Sequence, residues 1–257
     1  MSRHLSLSLA SAGLMFLAGA VVSNGAVISN FETPTYTAGT HELDSVDGWT
    51  RASGAANGGW VTPTGAYIPP TYPILEGSQS WLQYANEQYV RGWGSASSAV
   101  GDGSTLSALV RPGTMSAGFV GFYLNATSTT AAPVVGIRMN YDGASSYQFR
   151  MANASGGSYA GSFDPTHTYK LELVIDFTNQ TAVGWATDVT TSGSPFNIGS
   201  IAFAGGSGNV IANGGVQLYT AGGNYPVYDD IQINAVPEPA ALSLLGFGGL
   251  MMLRRRK

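Results

Sequence analysis

The stretch Thr168-Tyr169-Lys170-Leu171-Glu172-Leu173-Val174-Ile175-Asp176 decides the fold class. Tyr169, Leu171, Leu173 and Ile175 fall on one face, continued by Phe177, while Lys170, Glu172 and Asp176 fall on the other. That period of two is the mark of a half-buried strand. Thr178-Asn179-Gln180 supplies a turn, and Thr181 to Val189 returns as a second strand through Val183 and Trp185. The same alternation marks Ser80 to Tyr84, Ser107 to Arg111, Phe119 to Leu124, Val134 to Tyr141 and Tyr147 to Met151. It continues at Ile198 to Phe203, Val216 to Tyr219 and Val227 to Ile233. Turn clusters such as Asp142-Gly143, Ser155-Gly156-Gly157 and Gly222-Gly223-Asn224 separate these runs. About ten strands at this spacing predict two antiparallel sheets packed face to face. Residues 51–75, rich in Gly, Pro, Ala and Thr, read as a long loop or irregular edge. Tyr84 to Tyr89 fits a short helix or a twisted strand equally well.

Composition narrows the class. Only 10% of the 257 residues are charged, against about 25% in a typical soluble domain, so the surface is built from Ser, Thr, Asn and Gly. The 13 Tyr, 10 Phe and 5 Trp exclude a disordered chain. The absence of Cys excludes a disulfide scaffold, a thiolate metal site and a cysteine nucleophile.

The two ends read as addresses. Residues 1–26 have a short basic start at Arg3 and His4, an apolar stretch from Leu5 to Val22, and small-residue cleavage sites ending at Ala26. This is the pattern of a secretory signal peptide. At the other end, Val236-Pro237-Glu238-Pro239-Ala240 precedes an apolar run through Leu253 and a basic tail, residues 254–257. A helix over residues 240–253 would span about 21 Å, short of the roughly 30 Å hydrocarbon core. The basic tail keeps its flank cytoplasmic and puts the preceding domain across the membrane. Between the ends, residues 27–235 carry six basic side chains against 14 acidic ones, a net charge of −8. Nucleic acid and anionic lipid are poor partners for such a surface.

The tripartite tail, residues 236–257, resembles the PEP-CTERM sorting signal of exopolysaccharide-producing Gram-negative bacteria. The resemblance implies secretion across the inner membrane, transient membrane contact through the C-terminal helix, and processing by an exosortase near Pro237-Glu238-Pro239. It also implies delivery to the cell surface or extracellular matrix. Residues 27–235 resemble a concanavalin A-like or laminin-G-like jelly roll, through the Tyr169–Phe177 strand, the return through Trp185, and Gly215-Val216-Gln217-Leu218-Tyr219. The closing Val227-Tyr228-Asp229-Asp230-Ile231-Gln232-Ile233 fits that family's last strand. The opening Asn30-Phe31-Glu32 with Trp49 also resembles galactose-binding-like jelly rolls. The expected fold is therefore an all-β antiparallel sandwich of one or the other kind.

Candidate sites follow. Strand parity puts Asp229 with Val227, Ile231 and Ile233 on a core-facing row, where a carboxylate must be paired or coordinated. Oxygen ligands suit calcium, and the jelly-roll resemblance implies a structural Ca²⁺ held by Asp229, Asp230 and Glu32. The other reading has Asp229 bond backbone N–H groups of a loop. Glu42-Leu43-Asp44-Ser45-Val46-Asp47 is similar to the Glu-x-Asp-x-x-Glu strand of laminarinase-type glycoside hydrolases, but ends in Asp47 rather than Glu and reads better as a solvated loop. No Gly-x-Ser-x-Gly elbow exists, and His167 reads as a turn residue. No catalytic residue is assigned. Trp60, Tyr67 and Tyr72, in a Gly/Pro-rich segment, offer flat rings with polar tips suited to sugar stacking. The expectation is a non-catalytic protein that binds, or is embedded in, extracellular polysaccharide. A purely structural matrix protein and a divergent glycoside hydrolase are the alternatives.

Overall fold

The computed structural model describes residues 26–32, 34–37, 43–54, 59–63, 75–93, 100–113, 115–128, 130–144, 146–153, 155–204 and 214–234. Residues 1–25 of the expected signal peptide, the 236–257 sorting signal, Glu42, Tyr67, Tyr72 and the Trp60 side chain lie outside the described residues. Among the described residues there is no helix, and none long and apolar enough to cross a membrane.

The strands are β1 (Ala26–Ser29), β2 (Trp49–Ser53), β3 (Gly59–Pro63), β4 (Gln79–Gln83), β5 (Gln88–Gly92), β6 (Thr105–Arg111), β7 (Gly118–Asn125) and β8 (Pro133–Tyr141). They continue with β9 (Tyr147–Asn153), β10 (Gly156–Ser162), β11 (Tyr169–Asp176), β12 (Thr181–Asp188), β13 (Phe196–Ala202), β14 (Gly215–Ala221) and β15 (Val227–Asn234). They form two antiparallel sheets. Sheet A runs β13-β12-β11-β6-β15-β4-β3, with β1 also on β15; sheet B runs β10-β9-β8-β7-β14-β5-β2.

The inner faces share one core. Leu171, Leu173 and Ile175 of β11 pack with Val120, Phe122 and Leu124 of β7 and Val135, Ile137 and Met139 of β8 in the same buried cluster. Each such side chain contributes about 1.5–3 kcal/mol on burial. Across the layers, Trp81 of β4 meets Tyr89 of β5 edge-on at 5.5 Å, and the Tyr228 hydroxyl donates to the Gly121 carbonyl at 3.1 Å.

Several sequence expectations need correction. On β12 the inward residues are Ala182, Gly184 and Ala186, while Val183 and Trp185 lie half-buried on the outer side. The reason is steric: a Cβ on Gly184 would stand 2.2 Å from the Met151 sulfur of the facing sheet. Residues 51–75 contain the end of β2 and the edge strand β3. Gly156-Gly157 belongs to the strand β10, and Tyr84 to Tyr89 is a turn running into β5. Trp49 and Trp93 are buried.

The parity of β15 is also not what alternation predicts. Tyr228, Ile231 and Ile233 all join the core cluster. The ladder with β6 slips between Asp229 and Gln232, and Asp230 has a positive φ of 43°. This bulge absorbs one residue and reverses the alternation. Asp229 therefore sits on the other side of sheet A from Ile231 and Ile233, opposite Ser80, yet is only 1% exposed.

A hydrogen-bond network ties the first strands together. The Tyr36 hydroxyl, buried, meets Ser29 Oγ at 2.8 Å, accepts from Trp49 Nε1 at 3.1 Å and donates to Asp47 Oδ2 at 2.8 Å. Arg91 of β5 pairs with the same Asp47 oxygen at 2.9 Å. Tyr36→Phe strips the buried indole N–H of its acceptor, so it should lower unfolding free energy by about 1–3 kcal/mol. Urea denaturation measures this, and a loss within error of zero would show that the network carries no stability.

Candidate functional site

Sheet B turns Val120, Phe122, Ile137, Met139, Phe149 and Leu218 inward. Strand alternation then leaves Phe119, Gly121 and Tyr123 of β7, Arg138 and Asn140 of β8, and Arg150 of β9 on the outer face. Strand register aligns one row across six strands: Gln88, Tyr219, Gly121, Arg138, Arg150 and Tyr159. At 4.7–4.9 Å per strand the row is about 24 Å long.

The row has a built substructure. The Tyr123 ring lies over Gly121 and Gly136, where an added Cβ would come within 2.3 Å and 2.2 Å of its atoms. Burial pushes the Tyr123 hydroxyl pKa up, although Arg138 beside it acts in the opposite direction. Arg138 Nε donates to that hydroxyl, and its guanidinium carbon stands 4.3 Å from the centre of the Phe119 ring. Phe119 in turn meets Tyr219 edge-on at 4.8 Å. On the next strands the Arg150 guanidinium lies 5.0 Å from the Tyr159 ring, and Tyr159 is 55% exposed. Arg150 Nε and Asn140 Oδ1 are buried and meet no partner among the described residues. Aromatic faces, planar cations and amides thus share one half-exposed surface, a set able to stack on rings and bond to hydroxyl or carboxylate groups.

None of these residues was singled out in the sequence, although parity in Val134–Tyr141 and Tyr147–Met151 already turns Arg138 and Arg150 away from the apolar face. Strand adjacency, which makes them neighbours, is not written in either segment.

The acidic candidates are drawn together differently from expectation. Glu32 accepts from the Ser78 N–H and hydroxyl and, at 3.0 Å, from the Gln79 N–H. Burial raises the Glu32 carboxyl, and these bonds outweigh it, holding it below the usual range. Asp229 Oδ2 accepts from Ser80 Oγ at 2.6 Å and the Glu76 N–H at 3.1 Å, while Oδ1 accepts from the Asp230 N–H at 2.8 Å. Asp230 receives a bond from Gln232 Nε2. Glu32 and Asp229 therefore clamp the backbone of residues 76–80. Among the described residues, no group of three or more His, Cys, Asp or Glu side chains is placed to hold a metal ion.

The segment before β2 is a turn, with Leu43 buried and positive φ at Ser45 and Asp47. Asp44 accepts from the Arg51 N–H at 3.0 Å, and Asp47 belongs to the Tyr36–Arg91 network. His167 occupies its expected turn, with Nδ1 2.7 Å from Asp188. Asp188 lines a cavity of about 270 Å³ between β9–β10 and β12–β13, together with Phe149, Tyr169 and Phe196.

No protein family and no curated protein matches the chain. Among solved structures, a sialidase aligns over 84% of this chain and 19% of its own, at 12% identity and a TM-score of 0.51. A GH43 protein from Bacillus licheniformis aligns over 63% of this chain and 34% of its own, at 9% identity and a TM-score of 0.44. Peanut lectin aligns over 72% of this chain and 89% of its own, at 10% identity and a TM-score of 0.40. The chain thus spans 19% of the sialidase it matches, and the shared property is the antiparallel jelly-roll fold.

Burial pushes the Asp229 carboxyl up to about 7, against the bonds from Ser80, Asp230 and Glu76, and the nearby charge of Glu32 adds to the rise. The folded state then holds this proton more tightly than the unfolded chain. Stability is full below the ordinary aspartate pKa and falls as pH rises toward 7. At about 1.4 kcal/mol per pKa unit, the loss is on the order of 4 kcal/mol. Asp229→Asn should flatten this part of the stability–pH curve. Equal slopes for both proteins between pH 4 and 7, measured by chemical denaturation, would exclude Asp229 as the group responsible.

Proposed function

We propose that the chain is a secreted, surface-sorted and non-catalytic protein that binds, or is embedded in, extracellular polysaccharide through the outer face of sheet B. The observation that carries this reading is the Gln88–Tyr219–Arg138–Arg150–Tyr159 row. Its length of about 24 Å suits several consecutive sugar rings. Its rings, guanidiniums and amides supply stacking surfaces and hydrogen-bond donors without a general acid–base pair among them. The concanavalin A-like form of the jelly roll is the one we assign, because each sheet carries seven or more strands. Calcium has no part in the proposal, since Glu32 and Asp229 spend their oxygens on backbone and hydroxyl donors. The terminal Val236-Pro237-Glu238-Pro239-Ala240 motif, apolar run and basic tail support export followed by exosortase processing.

Affinity electrophoresis of the full chain through gels containing different polysaccharides tests the binding. Retardation by at least one polymer is expected, and Tyr159→Ala combined with Tyr219→Ala should abolish it. Migration unaffected by every polymer would sink the proposal. Retardation that survives this pair but disappears in Trp60→Ala, Tyr67→Ala and Tyr72→Ala would move the site to that segment. For the sorting step, mass spectrometry of protein recovered from the cell envelope should find the basic tail removed; an intact Lys257 terminus would refute it.

A further inference from the structure

Arg138 of β8 and Arg150 of β9 stand directly opposite each other in the antiparallel ladder. Like charges in that position are destabilising. The chain has few cations to place: six basic residues against 14 acidic ones between residues 27 and 235. Arg91 and Lys170 each pair with a carboxylate, Asp47 and Glu172. Among the described residues Arg138 and Arg150 pair with no carboxylate; their neighbours are the Phe119, Tyr123 and Tyr159 rings. The two arginines thus stand opposite each other on an outer face, Arg138 against rings of β7 and Arg150 against a ring of β10.

We propose that Arg138 and Arg150 together seat one carboxylate of an acidic sugar residue, so that the polysaccharide bound is a uronic-acid polymer. The inference rests on the polysaccharide-binding reading and names its substrate class. A carboxylate between the two guanidiniums cancels their mutual repulsion and gains charge-assisted hydrogen bonds from both. Arg138 is positioned for this by its Nε–H bond to the Tyr123 hydroxyl, which leaves the other edge of its planar fork for the ligand. Tyr159 on one side and Tyr219 on the other lie in the same register row, where adjoining sugar rings of the chain would run.

Calorimetric titration of the full chain with galacturonate and mannuronate oligomers, each beside its methyl ester, tests the proposal. The esters keep the sugar framework and remove the charge. One acid oligomer should bind about tenfold to a hundredfold more tightly than its ester. Arg150→Gln should erase that difference, whatever it does to the affinity for the ester, and Arg150→Lys should restore part of it. The acid–ester comparison on the unsubstituted chain stands even where a variant folds poorly. Equal affinity for acid and ester, or an acid preference that survives Arg150→Gln, overturns the carboxylate seat and leaves the polysaccharide reading intact. Failure to bind these oligomers, with binding to neutral polysaccharide through Tyr159 and Tyr219, has the same meaning. Absence of binding to any glycan overturns both.

Discussion

β15 runs through the middle of sheet A, and the other strands of that sheet are organised around it. It pairs with β6 on one side and with β4 and β1 on the other. Without it the β13-β12-β11-β6 half and the β4-β3 half have no common ladder. The last described strand of the chain thus closes pairings with some of the first, which are contacts of long sequence separation that must overcome loop-closure entropy. The bulge at Asp229 and Asp230 is what lets one strand serve both halves. It keeps Tyr228, Ile231 and Ile233 all in the core while Asp229 turns to the opposite side. There Asp229 holds Ser80 and the Glu76 N–H, fastening the turn that leads into β4.

The same demand for one buried face per sheet sets where chemistry can appear. The inner faces are filled by aliphatic and aromatic side chains, with small residues such as Gly184 where the layers approach closely. Polar groups capable of meeting a ligand are confined to outer faces and ends. On sheet B, Gly121 and Gly136 clear the space into which Tyr123 lies down, and Tyr123 then orients Arg138. Glycine acts here by permitting close approach, so two residues without side chains shape the arginine-bearing surface.

Much of the strand content was legible locally. Thr168–Asp176 became β11 with its predicted inward row, and Val134–Tyr141 became β8. The strands that escaped detection are instructive. β3 is only Gly-Trp-Val-Thr-Pro, β10 surrounds its one large side chain, Tyr159, with six Gly, Ser or Ala residues, and both lie at sheet edges. β2 and β5 carry Arg51 and Arg91 on the Trp49 and Tyr89 side, which masks the apolar period. The parity of β12 misled for another reason: Ala182, Gly184 and Ala186 look like the weaker face until Met151 and Ile137 of the opposite sheet are seen to need the room.

By itself the sequence determined the all-β class and the antiparallel pairing of β11 with β12, because alternation and short turns are local properties. Tertiary structure alone decided that Arg138 and Arg150 are neighbours, that Tyr219 and Tyr159 lie in one row with them, and that Asp229 leaves the core row it seemed to share. Those relations are set by the register of the β8, β9 and β10 strands, by pairing with β14 far along the chain, and by a bulge of one residue. All depend on how the two sheets fill a common core, which no short segment encodes.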